Sequence, residues 1–172
     1  MTQNRIHLSY PEFTQDDIKA VNEVIINLGS RDKDKNSPIE LFENELTKFN
    51  GVSHAVTLSS GTAAIHLALL SLNIQEGDRV IVPTLTFAAT AFPLSYIGAI
   101  PIFIDVCNET WTLDLELLEQ YLKKCQKSEL PKLIVAVDLF GRTCDYDELS
   151  RIAASFDIPV LIDAAESLGS EY

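Results

Sequence analysis

Apolar and polar positions follow two patterns that alternate from about residue 51 onward. Short runs that are apolar throughout predict buried strands, and they lie at 55–58, 79–83, 100–106, 132–140 and 159–163. Stretches with one apolar helical face separate them, and these predict helices at 62–72, 112–124 and 145–156. Apolar strands joined by amphipathic helices are typical of a parallel sheet covered on both faces. We therefore predict an α/β fold with a mostly parallel sheet flanked by helices.

The first 50 residues carry helical periodicity only. A helix is predicted at 16–28, with Thr14 as its N-cap and Gly29 as its end, and a second at 39–49, with Pro38 in its first turn. The polar segment 30–38 between them predicts a loop, whose basic residues are alternatively suited to a diphosphate. We predict two parts: residues 1–50, a helical segment that packs on the larger part, and residues 51–172, an α/β domain.

Residues 80–104 carry no charge and are long enough to span a bilayer. Three prolines and Gly98 divide this stretch into pieces shorter than a spanning helix. We therefore predict two buried strands around a short helix here.

Charge and cysteine content exclude several classes of protein. There are 13 basic and 25 acidic residues, a net charge of −12, which disfavours nucleic acids and anionic membranes as partners. The three cysteines are odd in number and form no C-x-x-C pair, so neither a disulfide framework nor a zinc site is indicated. The N-terminus has no apolar stretch typical of a signal peptide, and we expect a cytoplasmic protein.

The residues that follow the predicted strands are candidates for ligand binding, because ligands of such sheets lie outside the carboxyl ends of the strands. The first strand leads into S-S-G-T-A-A at 59–64, where Gly61 permits a tight turn and the helix N-terminus suits a phosphate. The alternative is an ordinary turn in which Ser60 or Thr62 caps the helix.

Phe87 and three aspartates follow the later strands. Phe87 is placed to stack on a planar ligand, or else belongs to the core. Asp105 and Asp138 are candidates for ligand binding at strand ends or, alternatively, N-caps of the helices that follow. Asp163 follows three apolar residues and precedes two alanines, so its carboxylate needs a cation or strong donors as partners.

Five motifs in this order resemble the large domain of pyridoxal-phosphate enzymes of the aspartate-aminotransferase fold, and more narrowly the DegT-type sugar-nucleotide aminotransferases. They are S-S-G-T-A-A-I-H-L-A-L (59–69), V-P-T-L-T-F-A-A-T (82–90), P-I-F-I-D-V (101–106), V-D-L-F-G with D-Y-D-E-L (137–149) and L-I-D-A-A-E-S-L-G-S (161–170). The resemblance covers nearly the whole chain.

The resemblance implies a role for each candidate residue. The amides around Gly61 and Thr62 would hold the phosphate of pyridoxal 5′-phosphate, Phe87 would stack on its ring, and Asp163 would pair with the ring nitrogen. Glu166 falls where the family often places Gln or His, near the 3′ oxygen of the ring. An ionised Glu would repel that oxygen. No metal is implied.

The family's Schiff-base lysine lies in an S-F-x-x-x-K segment beyond the D-A-A-E motif, and the last lysine here is Lys132. We therefore expect the N-terminal part of a longer enzyme, with no catalytic residue of its own and no activity alone. The full-length enzyme would move an amino group from glutamate to a nucleotide-linked keto-sugar, as a homodimer.

Three alternatives stay open at this point. A dehydratase of the same family replaces the lysine by His, and a truncated or regulatory paralogue would have no catalytic chemistry. An unrelated nucleotide-binding domain is the third, against which S-S-G-T-A-A lacks the G-x-G-x-x-G fingerprint.

Overall fold

Four strands form one parallel sheet in the computed structural model, which describes residues 12–27 and 37–171. The strands are β1 (Arg79–Pro83), β2 (Ile100–Ile104), β3 (Leu133–Val137) and β4 (Val160–Asp163). Their order is β2-β1-β3-β4, and every neighbouring pair is parallel. All four carboxyl ends therefore lie at one edge of the sheet, with β1 and β3 in the centre.

Six helices and two short 3-10 turns connect or precede the strands in the described residues. They are α1 (Gln15–Asn27), α2 (Pro38–Asn50), α3 (Gly61–Ser71), α4 (Phe92–Tyr96), α5 (Leu115–Lys124) and α6 (Tyr146–Ser155), with the turns at Ala88–Thr90 and Lys127–Glu129. Side-chain caps set several helix starts, because the first amides of a helix have no acceptor within it. Asp114 caps α5 and Asp145 caps α6.

The two faces of the sheet bury separate clusters of apolar side chains. Ile81 and Ile134 pack with Leu118 of α5 and Leu149 of α6 on one face. The neighbouring strand residues Val80, Val82 and Val135 point to the other face and pack with α3 and α4. This alternation confirms the predicted sheet with helices on both faces.

The chain divides into two compact units, Met1–Thr57 and Leu58–Tyr172. In the described part of the first unit, the Asp17 amide donates to Thr14 Oγ1 at 3.2 Å, which confirms Thr14 as the cap of α1. Ser37 and Glu40 form a capping box on α2, and the helix ends at Gly51, whose φ is +64°. The predicted end at Gly29 and the basic positions of the 30–38 loop lie outside the described residues. The packing of the first part on the second is still a prediction.

The strand predicted at 55–58 is wrong. Residues 55–58 belong to no strand, and Val56 and Leu58 are exposed. The Thr57 amide donates to the carboxylate of Glu43 at 2.7 Å instead of to a neighbouring strand. An apolar tetrapeptide favours an extended chain, but a strand also needs a paired neighbour, and the described strands supply none at this position.

The uncharged stretch 80–104 is divided as predicted into β1, α4 and β2. Among the described residues, no helix has both the length and the apolar character that crossing a membrane requires.

Candidate functional site

The carboxyl end of β4 is bonded to the segment that follows β1, although β3 lies between these strands. Thr90 Oγ1 donates to Asp163 Oδ2 at 2.6 Å, across 73 positions of sequence. Thr90 belongs to the 3-10 turn that begins directly after Phe87. Asp163 and the Phe87 segment, both singled out in the sequence, therefore meet at the same edge of the sheet.

Thr90 is the residue of this site that the sequence analysis missed. Its side chain is fully buried, and its hydroxyl also lies 2.7 Å from Thr86 Oγ1. The signal was a threonine inside the apolar run F-A-A-T-A-F-P-L, because a buried hydroxyl needs a hydrogen-bond partner. The pattern alone did not indicate which partner.

The N-terminus of α3 presents backbone amides that are further candidates for ligand binding. Ser60 caps the helix, as one sequence alternative held, since Ser60 Oγ accepts from the Ala63 amide at 3.2 Å. Among the described residues, the amides of Gly61 and Thr62 donate to no protein acceptor. Helix α3 also contacts the Ala88–Thr90 turn and α4. Two free amides and the positive end of a helix dipole suit an anion here.

Gly61 has open space where a side chain would project. A Cβ built on it would meet no heavy atom within 4 Å, and its φ does not require glycine. Neither backbone strain nor packing in the described structure therefore explains a glycine at this position. A ligand that approaches the backbone closely would explain it.

Phe87 projects from the same edge and is 79% exposed. A large aromatic ring this exposed leaves a face available for another planar group. The alternative that Phe87 belongs to the core is therefore wrong.

Glu166 lies on the turn after β4 and holds a neighbouring turn. Glu166 Oε2 accepts from the Phe140 amide at 2.7 Å, and Ser170 Oγ donates to the Gly141 carbonyl at 2.9 Å. Phe140 and Gly141 both have positive φ, of 53° and 81°, in a two-residue hairpin turn. The carboxylate of Glu166 therefore stabilises a backbone conformation that a phenylalanine rarely adopts.

Asp138 is a buried anchor of the loop that follows β4. Its carboxylate is 2% exposed and accepts from the Cys144 amide, from Ser167 Oγ at 2.6 Å and from Tyr146 Oη. Burial and then the hydrogen bond to Asp138 raise the pKa of Tyr146 above its ordinary value. Burial and then the charge of Asp138 raise the pKa of Cys144 to about 11.

Asp105 and Asp138 cap no helix, so that sequence alternative is wrong for both. Asp114 and Asp145 take those places. Asp105 is exposed and accepts from Thr84 Oγ1 at 2.7 Å and from the Val106 amide. These two bonds, the Thr84 bond first, lower the pKa of Asp105.

A cleft of about 640 Å³ lies between residues 107–116 and 142–145. Its charged lining includes Glu109, Glu116, the cap residues Asp114 and Asp145, and a single cation, Arg142. An acidic lining with one guanidinium is a poor site for a phosphate. The edge that carries Phe87 and Asp163, together with the free amides of α3, is therefore the stronger candidate.

Comparison with known proteins gives a family match over most of the chain. The sequence profile described as the DegT/DnrJ/EryC1/StrS aminotransferase family matches residues 11–172. GDP-perosamine synthase of Escherichia coli O157:H7 is 44% identical over 138 residues, which are 80% of this chain and 36% of that protein.

Two solved structures are similar in fold and sequence. The aminotransferase from Psychrobacter cryohalolentis superposes with a TM-score of 0.84 at 30% identity, over 95% of this chain and 40% of that one. The E. coli GDP-4-keto-6-deoxy-D-mannose-3-dehydratase with bound hydrated PLP gives a TM-score of 0.80 at 27% identity, over 96% of this chain and 42% of that one. The chain thus spans about two fifths or less of the length of these relatives.

Proposed function

Because the chain belongs to the DegT/DnrJ/EryC1/StrS aminotransferase family, we propose that it contributes the cofactor-holding edge of a pyridoxal-phosphate-dependent aminotransferase. The proposed reaction transfers an amino group, with glutamate as donor, to a nucleotide-linked keto-sugar. The observation that carries the proposal is the Thr90–Asp163 bond, which joins the carboxylate of β4 to the segment of Phe87. The relative described as GDP-perosamine synthase supports a nucleotide-linked sugar as substrate.

The residues present fit pyridoxal phosphate by their chemistry. The cofactor has an anionic phosphate, a flat ring and a basic ring nitrogen. The free amides of Gly61 and Thr62 match the phosphate, and the open space over Gly61 gives it room. The exposed ring of Phe87 matches the flat face, and the carboxylate of Asp163 matches the nitrogen.

Each of these residues has one role in the proposal. Gly61 and Thr62 bind the phosphate, Phe87 orients the ring, and Asp163 holds a proton on the ring nitrogen. When bound, pyridoxal phosphate supplies an electron-accepting ring for chemistry at the carbon that bears the amino group. The family's Schiff-base lysine lies beyond the D-A-A-E motif that follows β4, whereas Lys132, the last lysine of this sequence, precedes β4. We therefore assign proton transfer at that carbon to no lysine of this chain.

Glu166 remains in the proposal as a neighbour of the 3′ oxygen of the ring. Its Oε2 is bonded to the Phe140 amide. That bond stabilises the carboxylate charge and leaves Oε1 without a hydrogen bond in the described structure. In this proposal Glu166 acts mainly by holding the 139–142 turn in place.

A second candidate function is the dehydratase reaction of the same family. The observation that favours it is the similarity to the E. coli 3-dehydratase over 96% of this chain. The same cofactor-binding residues would serve both reactions. The two candidates are separated by product analysis, since only the aminotransferase releases 2-oxoglutarate from glutamate in proportion to aminated sugar.

We propose a homodimer in the cytoplasm as the working form. Large apolar side chains of the second unit are exposed, with Phe92 at 56%, Phe103 at 53% and Leu168 at 69%, which supports their burial in an assembly. The free cysteines Cys107, Cys125 and Cys144 support a reducing compartment.

The proposed function is tested with the full-length protein that carries these residues. The purified protein, loaded with pyridoxal phosphate, is incubated with glutamate and a panel of GDP- and UDP-linked 4-keto-sugars, and products are identified by mass spectrometry. We expect an aminated sugar nucleotide, and we expect Asp163→Ala to abolish its formation. Turnover that Asp163→Ala leaves intact, or no turnover with any member of the panel, would overturn the proposal.

A further inference from the structure

We infer that Thr90 is a positioning residue for Asp163, through a directed chain of hydrogen bonds from Thr86 to Thr90 to Asp163. This inference rests on the proposed function and adds a residue to it. Its basis is one fully buried threonine whose hydroxyl touches both the carboxylate of Asp163 and a second hydroxyl.

The direction of the chain follows from counting protons. A carboxylate accepts hydrogen bonds and has no proton to donate. Thr90 therefore donates its single hydroxyl proton to Asp163 Oδ2 at 2.6 Å. The 2.7 Å contact between Thr86 and Thr90 therefore has Thr86 as the donor. Thr86 Oγ1 also lies 3.3 Å from the Phe87 carbonyl, a longer contact that competes for the same proton. The shorter bond to Thr90 prevails in this arrangement.

The hydrogen bonds from Thr86 to Thr90 to Asp163 leave the two carboxylate oxygens of Asp163 with different hydrogen-bonding capacity. Oδ2 is held by a short bond from a buried donor. Among the residues that the structure describes, Oδ1 accepts only the Ala165 amide, at 3.3 Å, beyond the usual range for a strong bond. Oδ1 is thus the oxygen with capacity for the ring nitrogen. Thr90 fixes the rotation of the carboxylate that presents Oδ1, so the carboxylate does not have to be ordered when the ring arrives.

Thr90 also holds the backbone of Phe87. The Thr90 amide donates to the Phe87 carbonyl at 3.0 Å, so the same residue fixes the backbone of the stacking ring and the rotation of the carboxylate. Its side chain and its main chain act on the two ring-binding groups independently. Replacing only the hydroxyl therefore isolates the effect on Asp163.

The test uses pyridoxamine 5′-phosphate, because it binds without a covalent bond to any lysine. The full-length protein is titrated with this compound, 15N-labelled at the ring nitrogen, and NMR reports both the affinity and the protonation of that nitrogen as pH rises. The variants are Thr90→Val, which removes the hydroxyl, and Thr90→Ser, which keeps it. The matched control is Thr112→Val, at a buried threonine outside the site that is 4% exposed.

We expect Thr90→Val to weaken binding by up to about tenfold, the cost of ordering one side chain that wild type holds in place beforehand, and to deprotonate the bound nitrogen at lower pH. Thr90→Ser and Thr112→Val are expected to stay within about twofold of wild type. Where Thr90→Val does not fold, Thr86→Val carries the test, with an expected weakening of about threefold because Thr90 loses its own donor.

Asp163→Ala separates the possible failures. If Asp163→Ala loses affinity and nitrogen protonation while Thr90→Val matches wild type, the positioning role is overturned and the proposed function stands. If Thr86→Val has to replace Thr90→Val and matches wild type, the positioning role is likewise overturned. If the wild-type protein does not bind the compound, or if Asp163→Ala changes nothing, the proposed function fails and the inference with it.

Discussion

Replacing Asp138 by asparagine is expected to destabilise the fold strongly without changing its shape. The buried carboxylate accepts from Cys144 N, Ser167 Oγ and Tyr146 Oη. Both hydroxyls donate to Oδ2 and the Cys144 amide donates to Oδ1. An asparagine carbonyl in the place of Oδ2 keeps both hydroxyl bonds but sets its NH2 group against the Cys144 amide, donor against donor. In the opposite orientation the NH2 group faces both hydroxyls and cannot accept from either. Ser167 has an alternative acceptor in the Ala164 carbonyl, but at 3.5 Å this bond is weak.

The magnitude follows from the change in bond type. A hydrogen bond to a charged group contributes about 1.5–3 kcal/mol, and a neutral one about 0.5–1.5 kcal/mol. Losing the charge at three bonds therefore costs about 3 kcal/mol, after part of the cost of burying the charge is recovered. In a chain of this size that loss lowers Tm by roughly 6–12 °C.

Thermal unfolding followed by circular dichroism at neutral pH measures the effect. The matched control is Asp157→Asn, the same chemical change at an exposed residue whose φ of 56° asparagine tolerates. The control is expected to lie within about 0.5 kcal/mol of wild type. An Asp138→Asn protein that melts with the control would refute the reasoning, because the buried bonds would then contribute nothing net.

Three further predictions test other parts of the structure. The pKa of Cys144 is raised to about 11 from 9.0, so the unfolded thiol loses its proton first and stability falls as pH rises from 9 to 11. Cys144→Ala should remove about 2–3 kcal/mol of that fall in denaturant titrations, and equal slopes for both proteins would contradict it. Gly61→Ala should leave the unfolding free energy within about 0.5 kcal/mol of wild type but weaken pyridoxamine 5′-phosphate binding, since its Cβ meets only open space. A change in stability with unchanged affinity would show a structural glycine. Glu166→Ala should speed hydrogen exchange at the Phe140 amide while Glu166→Gln keeps it slow, and equal exchange in both would argue against this bond.

The sheet and its helices could be predicted because each element carries its own local signal. The strand predicted at 132–140 became β3 over Leu133–Val137, and Pro38 marked the start of α2. Residues 55–58 had the same apolar signal and formed no strand. Pairing depends on a neighbour elsewhere in the chain, and an apolar run does not specify one.

The sequence predicted the residues of the candidate site that stand at the ends of helices and strands, but not the long-range hydrogen bonds between them. Gly61, Phe87 and Asp163 stand at ends of elements, where position alone suggests a ligand. Thr90 and its partner are 73 residues apart, and Glu166 and Phe140 are 26 apart. Such contacts are set by strand order, which the sequence pattern does not contain. The family resemblance named the cofactor but gave Thr90 no role.

A crystal structure of the protein with pyridoxamine 5′-phosphate tests the central claim most directly. The account predicts the phosphate at the amides of Gly61 and Thr62, the ring against Phe87, and the ring nitrogen about 2.7–3.2 Å from Asp163 Oδ1. The compound bound at another edge of the sheet, or bound here with its nitrogen turned away from Asp163, would contradict the account.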